Sequence, residues 1–147
     1  MSDQVSLQRL AERVVAAMMA RDTMSAWLGI EIAEVAPRRC VCRMVVREEM
    51  VNGFGVAHGG IVFSLADSAF AFACNTHGRV TVSIENSVTY PRAVHPGDVL
   101  TAVAVEDASS HHLGYYRVDV RNQRGDVVAL FRGTAYRTAR EHFADEA

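Results

Sequence analysis

The chain has 147 residues, half of them hydrophobic and 22% charged, with a net charge of −2. This composition belongs to a globular domain of ordinary size that can hold its own core, and it excludes an intrinsically disordered chain. The near-neutral balance excludes a nucleic-acid partner bound through bulk charge, and the absence of lysine excludes Schiff-base chemistry.

Apolar periodicity predicts an N-terminal helix within residues 1–24, with Val5, Leu10, Val14 and Met18 on one face. Asp22, Thr23 and Ser25 break that pattern. Residues 30–36 and 40–47 are rich in Val and Ile and read as two strands, with Pro37-Arg38-Arg39 as their turn. A loop over 48–57 carries Asn52, Gly53 and Gly55. A second helix is predicted from Gly59 to about His77. Its apolar residues cover every side, so it is expected to be buried all round. Strands follow near 80–90, 98–107, 114–122 and 126–138, and the polar residues 139–147 read as a frayed tail. Short turns between the late strands imply antiparallel pairing. The expectation is one α+β domain over residues 1–147, a mostly antiparallel sheet on a central helix.

The first residues lack a basic stretch followed by an apolar one, so no secretory signal is expected. The longest apolar segment, residues 61–74, is too short to span a bilayer and contains Asp67, so no membrane partner is expected. Three cysteines is an odd number, and Cys40 and Cys42 lie two apart on one strand face, poorly placed to bond each other. A reduced, cytoplasmic protein is the simplest reading. The six histidines lack metal-ligand spacing, so neither a metal nor another cofactor is expected.

Two features carry the chemistry. Asp67 lies in the middle of the apolar helix, where a carboxylate is costly to bury unless paired or neutralised. It is either bonded to Ser64, Ser68 or a partner chain, or it is a general base or nucleophile with a raised pKa. Ala57-His58-Gly59-Gly60 opens the same helix. Unpaired N–H groups and the positive end of the helix dipole there suit a carbonyl oxygen becoming an oxyanion. Gly59 and Asp67 are eight residues apart, about 12 Å along a helix. If they act together, they come from different subunits.

The run Asn52 to Gly60, with the pattern Asn-x5-His-Gly-Gly-x6-Asp ending at Asp67, resembles the hotdog-fold acyl-CoA thioesterases, in particular the PaaI-type branch of phenylacetate degradation. Residues 129–133, Ala-Leu-Phe-Arg-Gly, are similar to that branch too. The likeness covers roughly residues 25 to 138. It implies a hotdog fold, a curved antiparallel sheet wrapped around one long helix, and a homotetramer of paired dimers. It implies metal-free hydrolysis of an acyl-CoA thioester. On that resemblance Asp67 is nucleophile or general base, the Gly59 N–H polarises the carbonyl, and Asn52 positions water or the carboxylate. His58 bonds at the thioester end and Ser83 orients water. Simpler roles stay open: Asn52 as a turn former, His58 as a helix cap, Ser83 as a strand hydroxyl with a local partner.

For the substrate, Arg92 is the first candidate for the coenzyme A phosphates, then Arg132 and Arg137. Gly60 and Ser68 are further substrate-binding candidates, and Phe54, Val56, Phe63 and Phe70 are candidates for an apolar acyl pocket, although aromatic residues on such a helix are core by default. The resemblance favours phenylacetyl-CoA or a hydroxylated aryl-acetyl-CoA. The alternatives are a hotdog hydratase or dehydratase on 3-hydroxyacyl thioesters and a non-catalytic acyl-CoA-binding protein.

Overall fold

The computed structural model describes residues 2–144. Six antiparallel strands form one sheet in the order β1-β2-β4-β5-β6-β3: β1 Glu31–Ala36, β2 Arg39–Val45, β3 Arg79–Thr89, β4 Val99–Ser109, β5 Leu113–Arg121 and β6 Val127–Glu141. Helix α3, Gly59–Asn75, lies against the sheet, and Leu65, Ala66, Ala69, Phe70, Phe72 and Ala73 on it are fully buried. These side chains meet Cys42, Met44, Leu100, Val118 and Phe131 in one core. Roughly 1.5–3 kcal/mol accrues for each large apolar side chain buried this way. The result is the α+β hotdog arrangement, with a curved sheet around a central helix.

The N-terminal region differs from the expected single helix. Helix α1 runs Ser2–Met19, and a second helix, α2, runs Thr23–Leu28. Asp22 is its N-cap: its Oδ1 accepts the Ser25 N–H at 2.8 Å. Gly29, at φ 73°, ends α2 in the left-handed region that favours glycine. The residues that break the first helical pattern therefore start a second helix.

The tail is not frayed where it is described. Strand β6 continues to Glu141, the His142 N–H donates to the Gly78 carbonyl at 2.8 Å, and Arg13 lies over the Phe143 ring. The rest of that expectation, residues 145–147, lies outside the described residues.

Helix α3 is not buried all round either. Gly60 is exposed, and Ser64, Asp67 and Ala71 are only half-buried. These positions follow one another at i, i+4, i+7 and i+11, so they make one stripe along the helix. Among the described residues this stripe is left partly open. The two sheet edges are β1 and β3. The first is backed by α1, whose Gln8 donates to the Val35 carbonyl. The second leaves Val82 and Ile84 47% and 57% exposed.

Candidate active site

The loop before α3 is folded tightly on itself. Asn52 and Val56 close it through an N–H to carbonyl bond of 2.8 Å, Val51 bridges Ala57, and the His58 N–H reaches the Met50 carbonyl. The Asn52 side-chain oxygen accepts the Phe54 N–H at 2.8 Å, an Asx turn. This leaves the Asn52 amide nitrogen without a partner among the described residues. Phe54, at the loop tip, is 92% exposed.

His58 is the N-cap of α3, and its Nδ1 accepts the Gly60 N–H at 2.9 Å. The Gly60 amide is thereby used. The Gly59 N–H has no partner among the described residues, so it is the amide at this helix end able to take an anionic oxygen. Tyr90 Oη donates to the Gly59 carbonyl at 2.8 Å, and its ring rests on the Gly59 Cα. A pocket of about 280 Å³ opens beside Gly59, lined by Val56, Val62, Tyr90, Arg92 and Val94 among others. The fold thus brings Val56, Gly59 and Arg92 together. Tyr90 joins them without having been singled out. Its place beside Pro91-Arg92, just after a strand end, is the signal that could have found it.

Asp67 bonds to neither Ser64 nor Ser68. Ser64 Oγ donates to the Gly60 carbonyl, and Ser68 shares a 2.8 Å hydrogen bond with Ser25, which also donates to Asp22. The partner of Asp67 is Asn86 on β3, whose Nδ2 donates to Oδ1 at 3.3 Å. Ser83 Oγ in turn donates to Asn86 Oδ1 at 2.9 Å. Burial pushes the Asp67 carboxyl above the usual carboxylate range; the Asn86 bond opposes that shift and the negative charge of Asp22 adds to it. Strand alternation would set Ser83 and Asn86 on opposite faces. A bulge sets them on one: Ser83 pairs Ala135 and Glu85 pairs Thr134, so Ile84 is an extra residue.

Other predicted residues are not brought to this centre by the chain itself. Phe70 is 0% exposed and packs on Tyr116 and Phe131. It belongs to the core rather than to an acyl pocket, because its position on α3 faces the sheet. Phe63 is half-buried, edge-on to Phe131 at 5.5 Å. Arg132 follows the inward Phe131 on β6, so it points away from α3 and faces Asp107 at 3.9 Å. Arg137 is held near the far end of α3, donating to His77 Nε2 and to the Ser110 and His111 carbonyls. Among the described residues, no group of three or more His, Cys, Asp or Glu side chains could hold a metal, and no helix is long and apolar enough to cross a membrane.

Residues 54–129 match the family model described as Thioesterase superfamily. The Escherichia coli acyl-coenzyme A thioesterase PaaI is 39% identical over 121 residues, 82% of this chain and 86% of that protein. The chain belongs to the thioesterase superfamily. Human acyl-coenzyme A thioesterase 13 is 31% identical over 88% of this thioesterase and 94% of its own length. The solved structure of E. coli PaaI, a protein of the phenylacetic acid degradation operon, superposes with a TM-score of 0.90 at 36% identity, covering 92% of this chain and 98% of that one. A hypothetical thioesterase of Streptococcus pneumoniae, solved with coenzyme A, superposes at 0.73 with 27% identity, over 76% of this chain and 88% of that one. The hotdog sheet and helix are thus those of PaaI-type acyl-CoA thioesterases.

Proposed function

We propose that this thioesterase hydrolyses an aryl-acetyl-CoA, phenylacetyl-CoA or a hydroxylated analogue, with Asp67 as nucleophile or general base. The observation that carries the reading is Asp67 itself. It is a half-buried carboxylate with a raised pKa on an open helix stripe, with one oxygen held by Asn86. Among the described residues it has no ion-pair partner, and it is set up to take a proton or attack a carbon.

As general base, Asp67 takes a proton from water as the water oxygen adds to the thioester carbonyl. The carbonyl oxygen becomes an oxyanion at the Gly59 N–H. Collapse then breaks the C–S bond, and coenzyme A leaves as the thiolate, which takes up the proton held on Asp67. As nucleophile, Asp67 adds first, the thiolate leaves, and water cleaves the resulting anhydride. Asn52, with its free amide, positions the water or the carboxylate, Ser83 orients water, and His58 bonds at the thioester end. Arg92 beside Gly59 is the residue proposed for the coenzyme A phosphates.

The 12 Å or so between Gly59 and Asp67 calls for two subunits per site. Two features support that arrangement. Strand β3 is an edge with exposed Val82 and Ile84, and the α3 stripe is built of Gly, Ser, Asp and Ala. Pairing β3 with β3 of a second copy extends the sheet and sets the two stripes side by side. Two such dimers give the homotetramer. The aryl-acetyl preference rests on the likeness to the E. coli protein, and the CoA ester on the CoA-bound S. pneumoniae relative.

The test is free-thiol release from a panel of acyl-CoAs by wild type and by Asp67→Ala. Release by wild type alone supports the reading, and the panel ranks the acyl groups. Faster turnover of long-chain acyl-CoA than of phenylacetyl-CoA would defeat the substrate assignment. Mixing inactive Asp67→Ala with inactive Asn52→Ala under subunit exchange should restore activity. Failure to do so speaks against a shared site.

A further inference from the structure

We propose that Asn86 is a positioning residue for Asp67, fixing which carboxylate oxygen faces the substrate. The inference rests on the reading of Asp67 given above. Its observations are the two hydrogen bonds of the Asn86 amide, the bulge that turns Ser83 to the same face, and the space that Gly133 leaves for the side chain.

The orientation of the amide follows from chemistry. An ionised carboxylate only accepts, so the Asn86 nitrogen must face Asp67 Oδ1, at 3.3 Å. The Asn86 oxygen then faces Ser83, whose O–H can donate to it, at 2.9 Å. Both ends of the amide are fixed, so its plane cannot turn. Asp67 Oδ1 is thereby occupied, and Oδ2 is the oxygen left for water or the thioester carbon. Ser83 spends its hydrogen on Asn86. It meets a water as an acceptor, through its remaining lone pairs. Water donating to both Oδ2 and Ser83 presents its own lone pair outward.

The sheet is shaped for this residue. Asn86 pairs Gly133 on β6, and a Cβ at Gly133 would sit 3.0 Å from Asn86 Oδ1. Any other residue at 133 would press on the amide. The charged groups around Asp67 are few. Asp22 acts on it from the start of α2, and Asn86, itself held by Ser83, forms its polar contact from β3. Along α3 itself Ser64 and Ser68 point to other partners, and Cys74 is a buried thiol. Among the described residues, it is the Asn86 hydrogen bond that favours the ionised carboxylate.

The test uses Asn86→Ala and Asn86→Asp in the full chain, with wild type and Asp67→Asn beside them. Asn86→Asp keeps the shape and the acceptor toward Ser83 but removes the donor toward Asp67. We expect kcat to fall roughly 10- to 100-fold in Asn86→Ala with KM little changed. We expect Asn86→Asp to be at least as impaired, and the acidic limb of the kcat/KM profile to move to higher pH in both. The Asp67 carboxyl, followed by ¹³C NMR of labelled aspartate, should titrate at higher pH in Asn86→Ala, a readout independent of turnover. Asn86→Asp with wild-type kcat and an unmoved acidic limb would overturn the proposal. If wild type itself releases no thiol, the catalytic reading of Asp67 fails. The NMR titration then still decides whether Asn86 controls the carboxylate. Should Asn86→Ala not fold, the isosteric Asn86→Asp decides alone.

Discussion

Tyr90 and Gly59 hold each other: the phenol donates to the Gly59 carbonyl at 2.8 Å, and a Cβ on Gly59 would meet the Tyr90 ring at 3.2 Å. Glycine at this helix start is therefore favoured by a neighbour in the same chain, apart from any need of a ligand. Tyr90 is 44% exposed, so its ring can yield by a few tenths of an ångström. Gly59→Ala should accordingly fold with a thermal midpoint within a few degrees of wild type. Thiol release should fall about 100-fold, the scale of losing one oxyanion donor, because the N–H is displaced. The loss should be smaller in a Tyr90→Ala background. An equal loss in both backgrounds would mean that the new methyl blocks the substrate directly.

Asp67→Asn should stabilise the fold at neutral pH while removing turnover. The folded-state pKa of Asp67 lies above its unfolded value, so its neutral form suits the fold. Its contribution is complete below the unfolded pKa, near 4, and is lost as pH rises through the folded pKa. The variant's advantage in urea unfolding should thus be present at pH 7 and vanish toward pH 3. A wild type more stable than Asp67→Asn at pH 7 would refute this sign.

Much of this layout is legible in the chain. The six strands and α3 follow from apolar runs broken by Gly, Pro and Asn, since burial and turn chemistry act locally. The Asp67 and Gly59 pair stands out because a carboxylate in an apolar helix is costly. What escapes is whatever depends on pairing across distance. Asn86 is reached only through a bulge, and strand alternation alone would turn Ser83 away from it. Val82 and Ile84 look like core residues but face outward from an edge strand. The open stripe on α3 is hidden by its own composition, because Ala71 reads as core in a helix this apolar. Asp22 reads as a helix breaker, yet it caps α2 and lies close enough to raise the pKa of Asp67.

Gly133 should be the least replaceable glycine of the sheet. A Cβ there would lie 2.7 Å from Phe70 Cζ, and Phe70 is fully buried, so the ring cannot swing out. Gly133→Ala should cost about 1–3 kcal/mol, the usual scale of overpacking. Phe70→Leu opens room at the same place, so the two changes should be strongly non-additive, with Gly133→Ala milder in that background. Additive losses in chemical denaturation would show that the strain lies elsewhere.

His77 should make the fold sensitive to mild acid. Burial and the neighbouring Arg137 hold its pKa down to about 4, below the ordinary 6.5, so the neutral ring suits the folded state. The unfolded chain takes up a proton first as pH falls. Stability is therefore complete above 6.5 and declines between 6.5 and 4. Removing the titrating ring in His77→Gln should flatten this part of the stability curve, at some constant cost from lost contacts with Arg137 and Thr81. An unchanged slope in the variant would assign the decline to other groups, His142 first, whose pKa burial also lowers.

His58 separates capping from chemistry. Its Nδ1 caps Gly60, so His58→Ala should lose about 1 kcal/mol of stability. His58→Asn keeps an acceptor at the cap and should recover most of that loss. If the ring also bonds at the thioester, His58→Asn should stay impaired in thiol release despite its regained stability, chiefly in kcat. Full recovery of both stability and turnover in His58→Asn would reduce His58 to a helix cap.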